Sequence, residues 1–364
     1  MIDKLKKILI NLPGWRTNSK VIVIESDDWG SIRSSSNKAL EDLKNSGIKV
    51  DNCSYMQNDA IASNEDLELL FNILAKKNTP KITANFLTSN PDFNKIKESG
   101  FNRYYSESIL ETVKRYPKHD NAKNLWLEGK NQGFFYPQLH GREHLNIPRW
   151  LQDLKDGNEE TLLAFKHKMF GVSAHIVQKR RASYQAALDG NFSVDLHDKK
   201  SIIKEAVQEF NQIFGFKPES FIAPNYIWDS LVEKALAQEK VMFLQGTHIQ
   251  RLPRGLGEKL QYRRHALGDV NEYDQKYLVR NAFFEPSSNK DKDWVDSCLS
   301  EIKIAFLMRK PAIISSHRVN FVGFLNQKNR DQNLKLFEEL IKRINKNWPG
   351  VHYLTTAELT KLIG

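Results

Sequence analysis

Cysteine is nearly absent: the 364 residues contain two, Cys53 and Cys298. Thiols so far apart exclude a disulfide framework, and they exclude a zinc site built from closely spaced thiolate pairs. Such usage fits a reducing compartment. No apolar run approaches the roughly 20 residues of a membrane span. The opening stretch, MIDKLKKILINLPGW, is too short in its apolar part for a secretory signal. We therefore expect a cytoplasmic protein. Its first eleven residues should form a basic amphipathic helix, docked on the bottom of the fold or lying peripherally at the inner membrane face. Repeats, low-complexity segments and an excess of glycine or proline are also missing, which excludes a solenoid, a fibre and a disordered chain.

One sign of charge dominates, with a net charge of +10. Lysines and arginines are nevertheless dispersed among acids, without a basic stripe, a basic tail or interleaved aromatics, so no nucleic-acid partner is expected. The excess instead favours an acidic glycan or lipid headgroup. With 40% hydrophobic and 27% charged residues, the chain has the composition of a folded soluble domain.

Short apolar runs alternate with amphipathic stretches, the signature of an α/β protein. Strands are expected at 20–26 (KVIVIES), 81–88, 134–139, 220–223, 241–245, 277–283 and 312–316, with a last short one at 352–354. Helices are expected at 64–77, 106–115, 158–188, 199–214, 229–238, 291–308 and 331–345, the last capped by Asp331. Continuously apolar strands such as VIVI belong to parallel sheets covered by helices. Seven or eight such units point to one (β/α) barrel domain over 1–364, with a helical insertion at about 147–200.

Three strand ends carry chemistry. In VIVIESDDWG an apolar strand runs into Glu25, Asp27 and Asp28. Adjacent carboxylates at the C-terminal rim of a barrel repel each other unless a cation or a proton resolves the conflict. One can then bind a metal while the other serves as base; the plainer reading is that both cap the next turn. The second is His140-Gly-Arg-Glu-His144, whose histidines at i and i+4 can chelate one ion from a helical turn. Histidines do recur by chance among ten, and His167 and His175 read as solvent-facing. A third apolar strand ends in His317, a general acid if it shares the rim, a structural histidine if it does not. Imidazole and carboxylate donors suit Zn²⁺ first, with Co²⁺, Ni²⁺ or Fe²⁺ as alternatives. A metal with open positions, a carboxylate base and a histidine acid together hydrolyse amides and esters.

The order of these motifs resembles the polysaccharide deacetylases of carbohydrate esterase family 4. Asp27-Asp28 is similar to the family's first motif, base then metal ligand, and His140 and His144 to its second. The run 220–226 (SFIAPNY) resembles the third, Asp293-Trp294 the fourth, and His317 the histidine of the fifth. The 353–362 ending (YLTTAELTKL) looks like the family's closing strand and helix. The resemblance implies an irregular (β/α)7-type barrel of the polysaccharide deacetylase kind, and removal of an acetyl group from an N-acetylated, or else O-acetylated, carbohydrate. It places Asp27 and His317 as base and acid, and Asp28, His140 and His144 as metal ligands. Asn225, Tyr226, Trp29, Arg280 and Trp294 become candidates for holding the sugar, with Trp228 a further stacking surface.

The sequence departs from the pattern in one respect that matters. Where the third motif carries an arginine that steadies the catalytic aspartate, this chain has Ile222. Arg280 or Arg318 could supply the charge. Two other readings remain at this level. A glycoside hydrolase would recruit Glu25 and Glu285 as flanking acids, and a glycan-binding protein would keep the barrel without turnover.

Overall fold

The structure is a computed structural model that describes residues 2–177, 183–190, 192–254 and 261–364. Its strands in chain order are β1 (Val21–Trp29), β2 (Ile82–Leu87), β3 (Ser89–Pro91), β4 (Ser106–Ser108), β5 (Phe135–Gly141), β6 (Ser220–Ile222), β7 (Phe243–Gly246), β8 (Ile249–Arg251), β9 (Tyr262–Arg264), β10 (Lys276–Val279), β11 (Ala282–Phe283), β12 (Ala312–His317) and β13 (His352–Leu354). Nine of them form one sheet in the order β10-β7-β6-β5-β2-β1-β12-β11, with β13 also beside β1. Every pairing along that path is parallel. β3–β4 and β8–β9 are separate antiparallel pairs.

The sheet's two edges, β10 and β11, are consecutive in sequence, separated only by Arg280 and Asn281. The Arg280 N–H donates to Gly246 O of β7 at 2.8 Å, and the Asn281 N–H to Ile313 O of β12 at 3.1 Å. This dipeptide bridges the seam of a curled sheet, giving the irregular (β/α) barrel expected from the sequence. The strand expected at 277–283 is accordingly split, one half serving each edge.

Alternation sorts the barrel interior into layers. Val21, Val23, Leu278 and Ile313 form an apolar plug with Leu359. One and two steps further along the same faces stand Glu25, Asp27, Arg280, Ser315 and His317, all toward the strands' C-terminal ends. Helices cover the outside through a larger cluster that includes Ile22, Ile24, Phe86, Phe135 and Leu340. At the opposite end, the Lys310 ammonium donates to the carbonyls of Pro13, Gly14 and Trp15, each at 2.6 Å. The Ile2–Ile10 helix docks there on the Trp294–Leu307 helix, with a Lys7–Glu301 ion pair of 2.7 Å.

Other expected elements shift. The 158–188 helix stops after Glu159–Lys166, where His167 caps it and Lys168 turns left-handed at φ 55°. Residues 178–182 of that expected helix lie outside the described residues. His175 is exposed, in a turn rather than on a helix, whereas His167 is half-buried against Asp42 at 3.2 Å. The helix expected at 331–345 begins at Gln327, and Asn326, not Asp331, caps it by accepting from the Asn329 N–H.

Candidate active site

In a regular strand, Asp27 and Asp28 would point to opposite faces. Here the β1–β2 register shifts between Ser26 and Trp29, and Asp28 takes a left-handed φ of 72°. Aspartate tolerates that conformation better than most residues. A bulge of this kind re-aims a side chain at a strand's end, and it turns both carboxylates toward the mouth.

His140 is the penultimate residue of β5, and the chain turns at Gly141, whose φ of 119° only glycine adopts without strain. The histidine pair is therefore presented by a bend and not by the helical turn expected from its spacing. Its rings lie 5.1 Å apart, centre to centre. Nε2 of His140 is 3.3 Å and Nε2 of His144 3.5 Å from the same oxygen, Asp28 Oδ1. One donor atom from each of these buried residues falls within 4.8 Å of the others.

The chemistry of these donors fits a cation. His140 Nδ1 lies 2.9 Å from Ile222 O, which accepts its hydrogen and fixes the tautomer. In the neutral ring Nε2 then presents a lone pair to a carboxylate oxygen, a conflict that a positive ion between them would remove. Such an orienting carbonyl behind a ligand histidine is a common outer partner of metal sites. Burial lowers His144 to a pKa of about 4 despite the nearby Asp28, so it is neutral and free to ligate at pH 7. Among the described residues, Nδ1 of His144 is buried without a hydrogen-bond partner.

Arg280, reached from the barrel seam, is the cation that meets Asp27. Its Nη1 and Nη2 donate to the two oxygens of Asp27 at 2.6 and 2.7 Å, and its Nε to Glu25 at 2.6 Å. Asn85 adds a bond of 2.8 Å to Asp27 Oδ1. Burial alone would raise Asp27, but the charge and hydrogen bonds of Arg280, with His140 and His317 nearby, together hold the carboxyl below its ordinary value. Oδ1 thus has both lone pairs engaged, whereas Oδ2 keeps one free, and Oδ2 is the oxygen facing His317 Nε2 at 3.9 Å. Arg318 plays no part in this; it is spent on Asp59 at 2.9 Å.

His317 sits beside Asp27 in the β1–β12 register. Its Nδ1 is 2.6 Å from Glu285 Oε1, and Glu285 is held in turn by Asn320 at 2.8 Å. Burial would lower His317, but Glu285 foremost, with Asp28 and Asp27, more than reverses this and lifts it well above its usual value. The ring of Tyr55 meets His317 edge-on at 5.5 Å. Burial together with Glu285 and Asp28 keeps the Tyr55 hydroxyl protonated far above the usual range.

Glu285, and not Asp293, is thus the carboxylate that holds His317. Asp293 instead caps the Trp294–Leu307 helix, and Trp294 donates to Asn289 O beneath the Lys292 ammonium. Trp29 and Trp228 are not stacking surfaces either. Both are buried, the first donating to Ser26 and packed edge-on against Phe135, the second donating to Glu233. Tyr226 remains in the site with its hydroxyl 3.3 Å from Arg280 Nη1, and Asn225 precedes it, both left-handed at φ 57° and 55°. Tyr55, Asn85 and the pairing of Glu285 with His317 escaped the sequence reading; each is set by contacts between distant segments that no local pattern marks.

No family profile matches the sequence, and no curated protein matches it significantly. Solved structures do match. A Mycobacterium smegmatis protein assigned to the polysaccharide deacetylases aligns with 96% of this chain and 92% of its own, at 9% identity and a TM-score of 0.49. A glycoside hydrolase/deacetylase assignment from Parabacteroides distasonis aligns over 95% and 71%, at 8% identity and a TM-score of 0.49. A carbohydrate esterase family 4 pseudoenzyme from Bacillus anthracis aligns over 94% and 66%, at 10% identity and a TM-score of 0.39. At such identities and scores, the functional reading rests on this chain's own residues.

Proposed function

We propose that the protein is a divalent-metal-dependent hydrolase that removes an acetyl group from an N-acetylated, or less readily an O-acetylated, carbohydrate. The observation that carries this reading is the meeting of Asp28, His140 and His144 at one point, with Asp27 Oδ2 and His317 Nε2 opposed beside it.

Zn²⁺ suits the two imidazoles and one carboxylate best, and when bound it supplies a Lewis acid that polarises the acyl carbonyl and acidifies water. The free lone pair of Asp27 Oδ2 takes the proton from the attacking water. Arg280 and Asn85 fix that carboxylate and keep it ionised. His317, held protonated by Glu285, gives its Nε2 proton to the leaving nitrogen as the C–N bond breaks. Tyr55 offers a hydroxyl donor beside the acid.

Two rivals lose their support. Glu25 is buried against Arg280 and Thr356 Oγ1, the latter at 2.8 Å, and Glu285 lies behind His317. Neither can flank a glycosidic bond. A purely glycan-binding protein was favoured by the lost arginine, but Arg280 restores that charge to Asp27.

Acetate release from a panel of acetylated sugars by Zn²⁺-loaded protein tests the proposal. The expected result is release that chelator abolishes and that Asp27→Asn reduces by about 10³-fold or more. No release on any substrate, with Asp27→Asn indistinguishable from the parent, would sink it.

A further inference from the structure

The antiparallel pair β8–β9 rises from the end of β7, on the same rim as the candidate site. It is strapped to the segment after Tyr226: Trp228 N–H donates to Arg251 O at 3.3 Å, and Ile227 pairs with Arg251. Gln250, buried beneath the pair, donates to Trp228 O at 2.7 Å and meets His265 Nε2 at 2.6 Å. The opposite face is therefore the outward one. Register places Arg251 opposite Tyr262, and Arg264 two residues further along, on that outward face.

All three are exposed, and Tyr262 leaves 53% of its surface in water. Among the described residues neither Arg251 nor Arg264 forms an ion pair, nor does the neighbouring exposed Arg263. The contrast with the interior is sharp, because Arg280, Arg318 and Arg142 are each neutralised by carboxylates there. Guanidinium forks match phosphate oxygens in pairs, and an exposed aromatic between them gives a planar surface for a ring.

We propose that Arg251, Tyr262 and Arg264 form an anion subsite that binds the phosphate of a glycosyl phosphate or diphosphate, so that the substrate is a phosphate-linked sugar and not a neutral polymer. The inference takes the identity of the sugar from the deacetylase reading. Arg251 is paired with Ile227, one residue beyond Tyr226, whose hydroxyl touches Arg280. In a glycosyl phosphate, the phosphate stands on the ring carbon adjacent to that bearing the acetamido group. On this proposal, a sugar with its amide at the metal ligands presents its phosphate to the neighbouring rim. Several cations match a diphosphate better than they match a single carboxylate.

Calorimetric binding to the full, metal-loaded chain tests this with three probes: free N-acetylglucosamine, UDP-N-acetylglucosamine, and polyprenyl-diphosphate N-acetylglucosamine in phosphatidylcholine vesicles. Expected is binding of at least one phosphate-linked probe at least tenfold tighter than that of the free sugar. Raising salt from 50 to 500 mM should weaken it, as should Arg251→Gln/Arg264→Gln or, separately, Tyr262→Ala. Whichever carrier binds identifies the source of the phosphate. Equal affinity for all three probes overturns the subsite, as does tight binding that neither variant weakens. Because binding is the readout, arginine-dependent binding without acetate release would overturn the deacetylase reading and leave the phosphate subsite standing.

Discussion

Arg280 lays its two terminal nitrogens on the two oxygens of Asp27, at 2.6 and 2.7 Å, from the dipeptide that closes the barrel seam. The same guanidinium reaches Glu25 through Nε. One cation thus holds two buried carboxylates, and both depend on it.

Replacing Arg280 should be costly in two ways. Arg280→Met leaves Asp27 and Glu25 buried and unpaired, which should cost about 3–5 kcal/mol in urea unfolding. Arg280→Lys keeps the charge but loses the fork. It should fold nearly as well while losing about 10²-fold in kcat, as Asp27 swings off its water. Equal activity of the Lys variant and the parent would show that the fork does not position the base.

Glu285 sets the pH dependence. It raises His317, so the protonated acid persists above the usual histidine range. Glu285→Gln removes that charge, and the high-pH limb of kcat should move to lower pH. In stability the sign is the same: a raised histidine stabilises fully below its unfolded value of about 6.5, and the gain is lost as pH rises through the folded value. The parent should therefore lose more stability than Glu285→Gln on going from neutral to alkaline pH. A pH–rate profile unchanged in the variant would remove Glu285 from this role.

The sequence disclosed the strands and the order of the chemical groups because apolar runs and strand-end residues are local signals. VIVIESDD, the HGREH pair and His317 all stand at strand ends as the pattern placed them, although the histidine pair rides on a bend and not on a helical turn. What it could not disclose is what long-range packing decides. Nothing near Asp27 announces a partner 253 residues away; with Ile222 in the motif the sequence leaves Arg280 and Arg318 as equal candidates for the charge, and only packing assigns it to Arg280. The split of the 277–283 run is invisible locally, since both halves remain extended. The tryptophans misled because aromatic residues beside a motif serve the core as readily as a ligand.

His265 offers a test far from the metal ligands. It stacks on Tyr277 at 3.7 Å, and burial lowers it to about 4 even though Asp269 pulls the other way. A depressed histidine binds fewer protons folded than unfolded. Its stabilisation is therefore present above about pH 6.5 and lost as pH falls toward 4. His265→Phe keeps a ring on Tyr277 but cannot titrate, so its Tm should fall less than the parent's between pH 7.5 and 5. An equal fall in both proteins would mean that His265 is not the titrating group.

Everything proposed for the site depends on Asp28, His140 and His144 holding one ion between them. Metal content of the purified chain, measured after dialysis against Zn²⁺ and removal of free ion, tests it most directly. About one Zn²⁺ per chain is expected, lost in Asp28→Asn and in His140→Ala/His144→Ala, and retained in Asp27→Asn. A parent protein that holds no ion, or variants that hold as much as the parent, would contradict it.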